Sequence, residues 1–398
     1  MLLDADPARA FMPYPAVPVT HANQGPLSGL TFAAKDLFDV AGYPTSNGSP
    51  HMLAMSGIKT RTAPTVQRLL DAGARFVGKT ITDELAFSLS GKNAHFGTPV
   101  NGGAPDRIPG GSSSGSASAV SNRLCDFALG TDTGGSVRGP ASHCGLFGIR
   151  PTHGRVSLEG CHDLAPSFDT GGYFARDGAT FAQVGEVLLG EDPAPLPQRP
   201  RAVLAKDAFG LLDGPALDAL APALLRIEAV LGPAEEKKVA EDGFATLYWA
   251  MRYIQGREAW ITDGPMIERY RPPLGPGVAD RFQFSSEVTD RQVTESLAIR
   301  SVFRERLRAL LGADGVLVLP TMPDVAPLLT ESEEALNDYR NNALNLLCLS
   351  VLSGFPQVSI PLASRLGAPL GISLMGPAGS DLSLVTLATR IAREAQSD

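Results

Sequence analysis

The chain has 398 residues, of which 43% are hydrophobic and 19% are charged, and its formal net charge is −8 at pH 7. This balance is typical of a soluble globular protein with a large core and excludes a disordered chain. The sequence holds no basic run that could neutralise a phosphate backbone, so nucleic acid is not expected as a partner.

The cysteines, the N-terminal residues and the most apolar stretch indicate in which cellular compartment the protein is located. The four cysteines include no C-x-x-C pair, which indicates a reducing environment. The start, MLLDADPARAFMPYP, has acidic residues and prolines where a signal peptide needs a basic and then an apolar region. The most apolar stretch, Leu344 to Phe355, is too short and too interrupted to span a membrane and predicts a buried helix followed by a turn. A cytoplasmic protein without a membrane partner is expected.

The first half alternates strand-like and helix-like patterns. Leu30 to Phe38 predicts a strand, Thr62 to Gly73 a helix with a capping threonine and a terminal glycine, and Arg75 to Ile81 a second strand. Asp126 to Gly130 and Phe147 to Pro151 predict further strands. Strands joined by crossover helices indicate an α/β protein whose parallel or mixed sheet is covered on both faces.

The second half begins with a proline-rich stretch, LGEDPAPLPQRP from Leu189 to Pro200, which predicts a linker or a long surface crossing. Helical patterns, strand patterns and a closing helical pattern follow it. The helical patterns are Ala216 to Gly232 and Val288 to Gly312, the strands Gly315 to Pro320, Pro356 to Leu362 and Leu370 to Gly376, and the closing helix Leu382 to Ala395. Strand patterns at both ends of the chain favour one sheet that the C-terminal part completes.

One serine, Ser136, lies among glycines in GTDTGGSVR, in a loop that follows a predicted strand. Loops at strand ends are where α/β folds tend to place chemistry. The stretch is neither a P-loop nor a G-x-S-x-G elbow, and the nearest histidine is His143. Because Gly-Ser turns are common, these residues alone do not establish a nucleophile.

Two other stretches are unusual. In PGGSSSGSASAV, Pro109 to Val120, glycines and serines lead into a run of small residues that predicts a closely packed helix. In AAKDLFDVAG, Lys35 lies inside an otherwise apolar strand. A lysine is seldom buried without a partner, so Lys35 is either exposed at a sheet edge or placed there for function.

Together with FVGKTITDELAF, GTPVN, GTDTGGSVRGPASHCGLFGIRPTHGRVS and SFDTGG, these stretches resemble the amidase signature family in the family's own order. The resemblance covers residues 26–175, and the C-terminal FPQVSIPL and LGISLMGP are similar to the family's closing strands. GKNAHFGTP, GGSSSGS and SFDTGGYFARD are most similar to indole-3-acetamide hydrolases and their bacterial relatives. The resemblance implies one amidase domain over residues 1–398, with a large mixed central sheet between helices and a variable substrate region at about 189–344.

The resemblance also implies a mechanism. By motif position Ser136 is the nucleophile of an acyl-enzyme, Lys35 is the base, and Ser112, in a cis peptide, relays the proton between them. The expected reaction is hydrolysis of the amide C–N bond of a small carboxylic acid amide, without a cofactor. An apolar surrounding lowers the pKa of a lysine from about 10.4, and a hydroxyl both donates and accepts, so these residue types suit the roles.

Further residues are expected to support the site. Backbone N–H groups are expected to converge on the oxyanion, namely those of Thr133, Gly134, Gly135 and Ser136. Asp132 and Arg138 are expected to brace the loop by a charged hydrogen-bonded pair, and Ser113 to support the cis-peptide loop.

Other candidates are set aside. The adjacent His-Cys pairs at 143–144 and 161–162 lack the spacing of paired zinc ligands, so no metal is expected. Asp83 and Glu84 are adjacent and would face apart on a helix, which predicts capping and surface charges.

The resemblance leaves the substrate and the assembly open. The expected partner is a small-molecule amide, and a homodimer is the assembly considered. Tyr248 to Trp260 would either line an apolar pocket or pack in the core. Two alternatives are the glutaminase subunit of a tRNA-dependent amidotransferase and a non-catalytic, amidase-like binding platform.

Overall fold

A computed structural model describes residues 5–394 of the chain. Within these residues the β-strands, in chain order, are β1 Thr31–Lys35, β2 Arg75–Thr80, β3 Phe127–Thr131, β4 Phe147–Arg150, β5 Gly171–Ala175, β6 Arg201–Ala205, β7 Glu235–Lys237, β8 Gly315–Pro320, β9 Gln357–Arg365 and β10 Ala368–Met375. The α-helices are α1 Pro50–Ser56, α2 Pro64–Asp71, α3 Ser114–Ser121, α4 Arg138–Cys144, α5 Gly178–Leu189, α6 Lys206–Phe209, α7 Gly214–Leu231, α8 Phe244–Tyr270, α9 Val278–Ser286, α10 Asp290–Leu311, α11 Glu333–Ser353 and α12 Asp381–Glu394.

All of these strands belong to one mixed sheet in the order β2-β1-β3-β5-β4-β9-β10-β8-β6-β7. β1 is parallel to β2 and β3, whereas β5 and β9 pair antiparallel with both of their neighbours. Every residue of β3 and of β8 is buried. Because successive side chains of a strand point to opposite faces, helices and loops cover both faces of the sheet. The predicted α/β class with a covered mixed sheet is confirmed.

The C-terminal strands complete the sheet as predicted, but three strands were not predicted. β5 contains Gly171 and Gly172, which weaken a strand pattern, and β6 and β7 lie in a region with mainly helical patterns. Helix α2 begins at Pro64 with Ala63 as its N-cap, so the expected capping role of Thr62 is wrong. The Thr62 hydroxyl accepts the Ala41 N–H instead, at 3.1 Å.

The proline-rich stretch after α5 crosses the surface between α5 and β6. Asp192 accepts the backbone N–H groups of Leu382 and Ser383 at 2.8 and 2.7 Å, and therefore caps the start of α12. The closing helix matches its prediction, except that Ala395 lies outside the described residues. No helix within residues 5–394 is both long enough and apolar enough to cross a membrane.

Small residues let α3 pack closely against the backbone of neighbouring segments. A Cβ on Gly115 would lie 2.3 Å from the Ala10 carbonyl oxygen and 2.5 Å from the Ile81 nitrogen. Residues 114–120 are all buried. The small-residue helix predicted from PGGSSSGSASAV is therefore present, and it holds the preceding serines against the sheet.

Candidate active site

Lys35 is the last residue of β1 and is fully buried. Its Nζ donates to Ser112 Oγ at 2.7 Å and to Thr131 Oγ1 at 2.8 Å. Thr131 ends the neighbouring parallel strand β3, so the carboxyl ends of two adjacent strands bring both groups to one edge of the sheet. The position of Lys35 at the end of an apolar strand thus places its ammonium group within hydrogen-bond distance of the Ser112 and Thr131 hydroxyls.

Burial lowers the pKa of Lys35 to about 8, although the negative charges of Asp83, Asp132 and Asp169 act to raise it. The desolvation of the ammonium group outweighs these charges because the side chain is completely removed from water. A substantial fraction of Lys35 is therefore neutral near pH 8, and a neutral amine can accept a proton.

Ser112 follows a cis peptide bond between Gly111 and Ser112, as the resemblance implies. Its carbonyl oxygen accepts the backbone N–H of Asp83 and the hydroxyl of Thr82, both at 3.0 Å. A Cβ on Gly111 would lie 2.1 Å from Asp83 Oδ2, so a larger residue here would displace the buried Asp83 carboxylate. The segment after β2 therefore fixes the position of Ser112.

Asp83 and Glu84 are both buried, so their prediction as surface charges is wrong. Asp83 Oδ2 accepts the Gly91 N–H at 3.0 Å, and Glu84 accepts the Gly275 N–H at 2.8 Å and contacts His95 Nε2 at 2.8 Å. Only a short 3₁₀ turn forms at 84–86. The chain turns inward after β2, and the N–H groups of Gly91 and Gly275 take the place of water at one oxygen of each carboxylate.

Ser136 lies next to Ser112 in space. The Ser113 N–H donates to the Ser136 carbonyl oxygen at 3.3 Å, and the Ser113 hydroxyl donates to the Thr131 carbonyl oxygen at 3.1 Å. Ser136 is 3% exposed. No residue between 5 and 394 forms a hydrogen bond with Ser136 Oγ, so the relay bond to Ser112 is not formed in this conformation.

Asp132 is the centre of a buried charged network. Its carboxylate accepts Arg138 Nε at 3.0 Å and Arg138 Nη2 at 2.9 Å, together with the N–H groups of Gly135 and Val137. Arg150 Nη1 lies 3.1 Å from Asp132 Oδ1. Burial acts to raise the pKa of Asp132, but the two guanidinium groups and the N–H donors outweigh it and hold this pKa well below its ordinary value.

This network changes the expected set of oxyanion donors. The Gly135 N–H donates to Asp132 Oδ1 at 2.8 Å and does not point to a substrate. Across the described chain, no acceptor is found for the N–H groups of Thr133, Gly134 and Ser136. Three of the four expected N–H donors are therefore free to bind the oxygen of a substrate.

The conformation of the loop requires glycine at 135. Gly135 has φ +118°, and a Cβ there would lie 2.4 Å from Leu347 Cδ1. On the other side, Gln255 Nε2 lies 3.3 Å and Leu344 Cδ2 3.7 Å from the position that a Cβ on Gly134 would occupy. Helices α8 and α11 therefore pack directly over the loop.

A cavity of about 740 Å³ lies among α8, α11 and the loops next to them, and residues 133–136 are not part of its wall. Its wall is formed by α8, α11 and residues from the segments 88–98 and 275–281, with Tyr248 and Trp249 among the aromatic side chains. The Leu89 carbonyl oxygen, in the same wall, accepts the Gly111 N–H at 2.8 Å. Of the two roles considered for residues 248–260, Tyr248 and Trp249 line the cavity, whereas Met251 is buried in the core.

Comparisons with known proteins agree with this geometry. Residues 15–209 match the family model described as Amidase. The chain is 40% identical to Amidase 1 of Arabidopsis thaliana, over 96% of this chain and 97% of that protein. The chain belongs to the amidase signature family. A solved amidase structure superposes with a TM-score of 0.81 at 28% identity, covering 93% of this chain and 86% of the other. The chain is also 36% identical to the chloroplastic outer envelope protein 64 of Arabidopsis thaliana, over 90% of its own length but 65% of that protein's.

In this amidase-family hydrolase, no histidine within residues 5–394 forms a hydrogen bond with Lys35, Ser112 or Ser136. His143 is buried, burial lowers its pKa to about 3, and its Nε2 lies 2.9 Å from the Tyr339 hydroxyl. His162 Nε2 lies 3.0 Å from Asp263 Oδ1. Within residues 5–394, no group of three or more His, Cys, Asp or Glu side chains could hold a metal ion.

Several residues of this amidase site were not predicted. Asp169 accepts the Thr133 hydroxyl at 2.5 Å and the N–H groups of Leu164 and Ala165 at 2.9 and 3.0 Å. It therefore fixes the first residue of the donor loop. Asp169 lies in the motif SFDTGG, and this position in the sequence could have indicated its role. Thr131 and Arg150 also lie in a motif that resembles the family, GTDTGGSVRGPASHCGLFGIRPTHGRVS. Gln255 lies in none of these motifs, so the sequence did not indicate it.

Proposed function

We propose that this amidase hydrolyses a small carboxylic acid amide to the acid and ammonia or an amine, through an acyl-enzyme on Ser136. The observation that carries the proposal is the 2.7 Å contact between Lys35 Nζ, buried and with a pKa of about 8, and Ser112 Oγ. A lysine in this state is a base near neutral pH, and a hydroxyl within hydrogen-bond reach can carry its proton.

In the first step Ser136 Oγ attacks the amide carbonyl carbon. Its proton passes to Ser112 as the Ser112 proton passes to neutral Lys35, which becomes an ammonium group. The relay requires Ser112 and Ser136 to come into hydrogen-bond contact when the substrate binds, because hydrogen bonds of a catalytic site often form only in the complex.

The negative oxygen of the tetrahedral intermediate is stabilised by the N–H groups of Thr133, Gly134 and Ser136. These donors are held by the loop before the substrate arrives, so they need little reorganisation as charge develops. When the C–N bond breaks, the leaving nitrogen takes a proton from Lys35 through Ser112. A water molecule then attacks the acyl-enzyme by the same route, which releases the acid and restores both serine and lysine.

The test is covalent labelling with a fluorophosphonate probe together with turnover of small amides by the purified chain. Ser136→Ala is expected to abolish both, and Ser112→Ala to slow both by several orders of magnitude. Ser114→Ala is the matched control, because Ser114 lies in the same serine run and its buried Oγ has no hydrogen-bond partner in the described chain. Full labelling of Ser136→Ala would overturn the nucleophile assignment.

The same preparation separates this proposal from the two alternatives. A glutaminase subunit would require its partner subunits, so robust turnover of amides other than glutamine by the chain alone argues against it. A binding platform would give neither label nor turnover. The retention of Lys35, Ser112 and Ser136 supports the enzymatic proposal over the platform.

A further inference from the structure

Helix α8 brings a polar side chain, that of Gln255, to the loop that holds Ser136. Gln255 Nε2 lies 3.3 Å from the position that a Cβ on Gly134 would occupy. The other nearest atoms of α8 and α11 are carbons, those of Leu344 beside Gly134 and those of Leu347 beside Gly135. The Gln255 amide is therefore a polar group within a contact that is otherwise apolar.

The carbonyl oxygen of this amide is buried without a donor. Gln255 is 5% exposed, and within residues 5–394 its Oε1 has no hydrogen-bond partner. A buried acceptor without a donor is unfavourable, and most such groups in proteins are paired. The buried side chains of Leu344 and Leu347 are apolar and cannot supply a donor. Gln255 Oε1 is therefore an open acceptor close to the loop.

The loop next to Gln255 presents N–H donors. Gly134, the residue in contact with Gln255, has an N–H group for which the described chain offers no acceptor, and the same holds for Thr133 and Ser136. The Gly135 N–H is directed to Asp132 instead. A carbonyl oxygen bound by the free N–H groups would therefore lie next to the Gln255 amide.

Gln255 also lies on the face of α8 that continues from the cavity to the loop. Tyr248 lines the cavity seven residues earlier, and seven residues are two helical turns on one face, about 10 Å along the axis. On α11, Ala343 lines the cavity and the next residue, Leu344, lies beside Gly134. A substrate with its acyl group in the cavity would therefore meet Gln255 on the way to Ser136.

The amide group of a glutamine is chemically complementary to the amide group of a substrate. It has a donor, the nitrogen, and an acceptor, the oxygen, side by side, and an amide substrate has an acceptor oxygen and an N–H donor in the same arrangement. An ester has the acceptor but no N–H group, so it would leave Gln255 Oε1 unpaired. A site built to bind an N–H group discriminates strongly against an analogue that lacks it.

We infer that Gln255 binds the scissile amide group, with Nε2 donating to its carbonyl oxygen and Oε1 accepting the N–H that lies on the side of that oxygen. This inference rests on the proposed function, since it adds a substrate-binding residue to the same site. The Nε2 donor acts together with the N–H groups of the loop as negative charge develops on the oxygen. The Oε1 acceptor orients the leaving nitrogen and makes the site selective for amides over esters.

The kinetic test compares phenylacetamide with methyl phenylacetate, which share one acyl group, chosen because Tyr248 and Trp249 line the cavity. Gln255→Met replaces the amide by an apolar side chain of similar length. It should lower kcat/KM about 10³-fold for the amide, which loses both hydrogen bonds, and about 10²-fold for the ester, which loses only the donor. The amide-to-ester ratio of kcat/KM should therefore fall about tenfold from its wild-type value.

Two further variants make the comparison specific, and circular dichroism establishes that each is folded. Gln255→Glu keeps an acceptor oxygen, so it should lower both rates at pH 8 but keep the wild-type amide-to-ester ratio. Gln283→Met, at an exposed position on α9 and outside the cavity, should keep both rates. Equal losses for amide and ester in Gln255→Met would overturn the inference, and so would wild-type rates in that variant.

A binding measurement keeps this inference separate from the proposed mechanism. Phenylacetamide, titrated calorimetrically into the Ser136→Ala variant, should bind about tenfold more tightly than it binds to the double variant with Gln255→Met. Binding that depends on Gln255, without turnover of any amide by the wild type, would leave this contact standing while the hydrolase mechanism fails. Turnover through Ser136 with one amide-to-ester ratio in the wild type and in Gln255→Met would have the opposite meaning.

Discussion

The base assignment predicts the pH dependence of the enzyme. Burial lowers the pKa of Lys35 from 10.5 to about 8. With a pKa of about 8, about 9% of Lys35 is neutral at pH 7 and about 90% at pH 9, whereas an ordinary lysine would be about 0.03% neutral at pH 7. Because only the neutral form accepts a proton, kcat/KM should rise about tenfold from pH 7 to pH 9, along one limb with its midpoint near pH 8.

Lys35→Met removes the amine and keeps an unbranched apolar side chain in the same space. It is expected to lower kcat/KM by about 10²- to 10⁴-fold and to abolish this limb. The assay is initial-rate hydrolysis of a neutral amide, whose own charge does not change between pH 6 and 10. Circular dichroism and thermal denaturation establish that the variant is folded.

Histidines provide the controls for this prediction. His143, with a pKa of about 3, stays neutral across the whole range, so His143→Gln should keep the midpoint. Burial acts to lower the pKa of His162, but its hydrogen bond to Asp263 outweighs this and raises it, so His162→Gln is the more demanding control. A Lys35→Met variant with near-normal activity and an unchanged midpoint would refute the reasoning, and loss of the limb in a histidine variant would identify the base.

Two substitutions test the loop. Asp132→Asn leaves the buried guanidinium groups of Arg138 and Arg150 without their counter-charge. It should lower the free energy of unfolding, measured by urea denaturation, by about 3–5 kcal/mol. An unchanged urea midpoint would mean that the network does not stabilise the fold. Gly135→Ala places a methyl group against Leu347 in a backbone conformation with φ +118°, and should lower kcat about 10²- to 10³-fold through displaced N–H donors, with wild-type kcat as the contrary result.

Local patterns in the sequence predicted much of the fold. The strands at 75–80, 127–131 and 315–320 have dense runs of apolar residues and end within two residues of their predicted bounds. β7, Glu235–Lys237, is a short charged edge strand, and nothing in its residues distinguishes it from a loop. Its pairing with β6 depends on the sheet already being in place, which no local pattern can indicate.

In the site, too, some features could be predicted from local sequence and others depend on the folded chain. The motifs supplied Lys35, Ser112 and Ser136, but not the commitment of the Gly135 N–H to Asp132, which depends on the curvature of the folded loop. The burial of Asp83 was also missed, because a carboxylate beside a turn is normally solvated and its donors come from a later loop.

The residues proposed for proton transfer and the helices that pack over the loop come from different stretches of the polypeptide. Lys35, Ser112 and Ser136 all precede residue 140, whereas the helices above the loop begin at Phe244 and Glu333. These two helices reach the loop through Gln255, Leu344 and Leu347. Selectivity can therefore be altered by exchanging residues on two helical faces while the hydrolytic machinery is inherited unchanged, which makes this scaffold suited to retargeting by a focused library rather than by whole-gene mutagenesis.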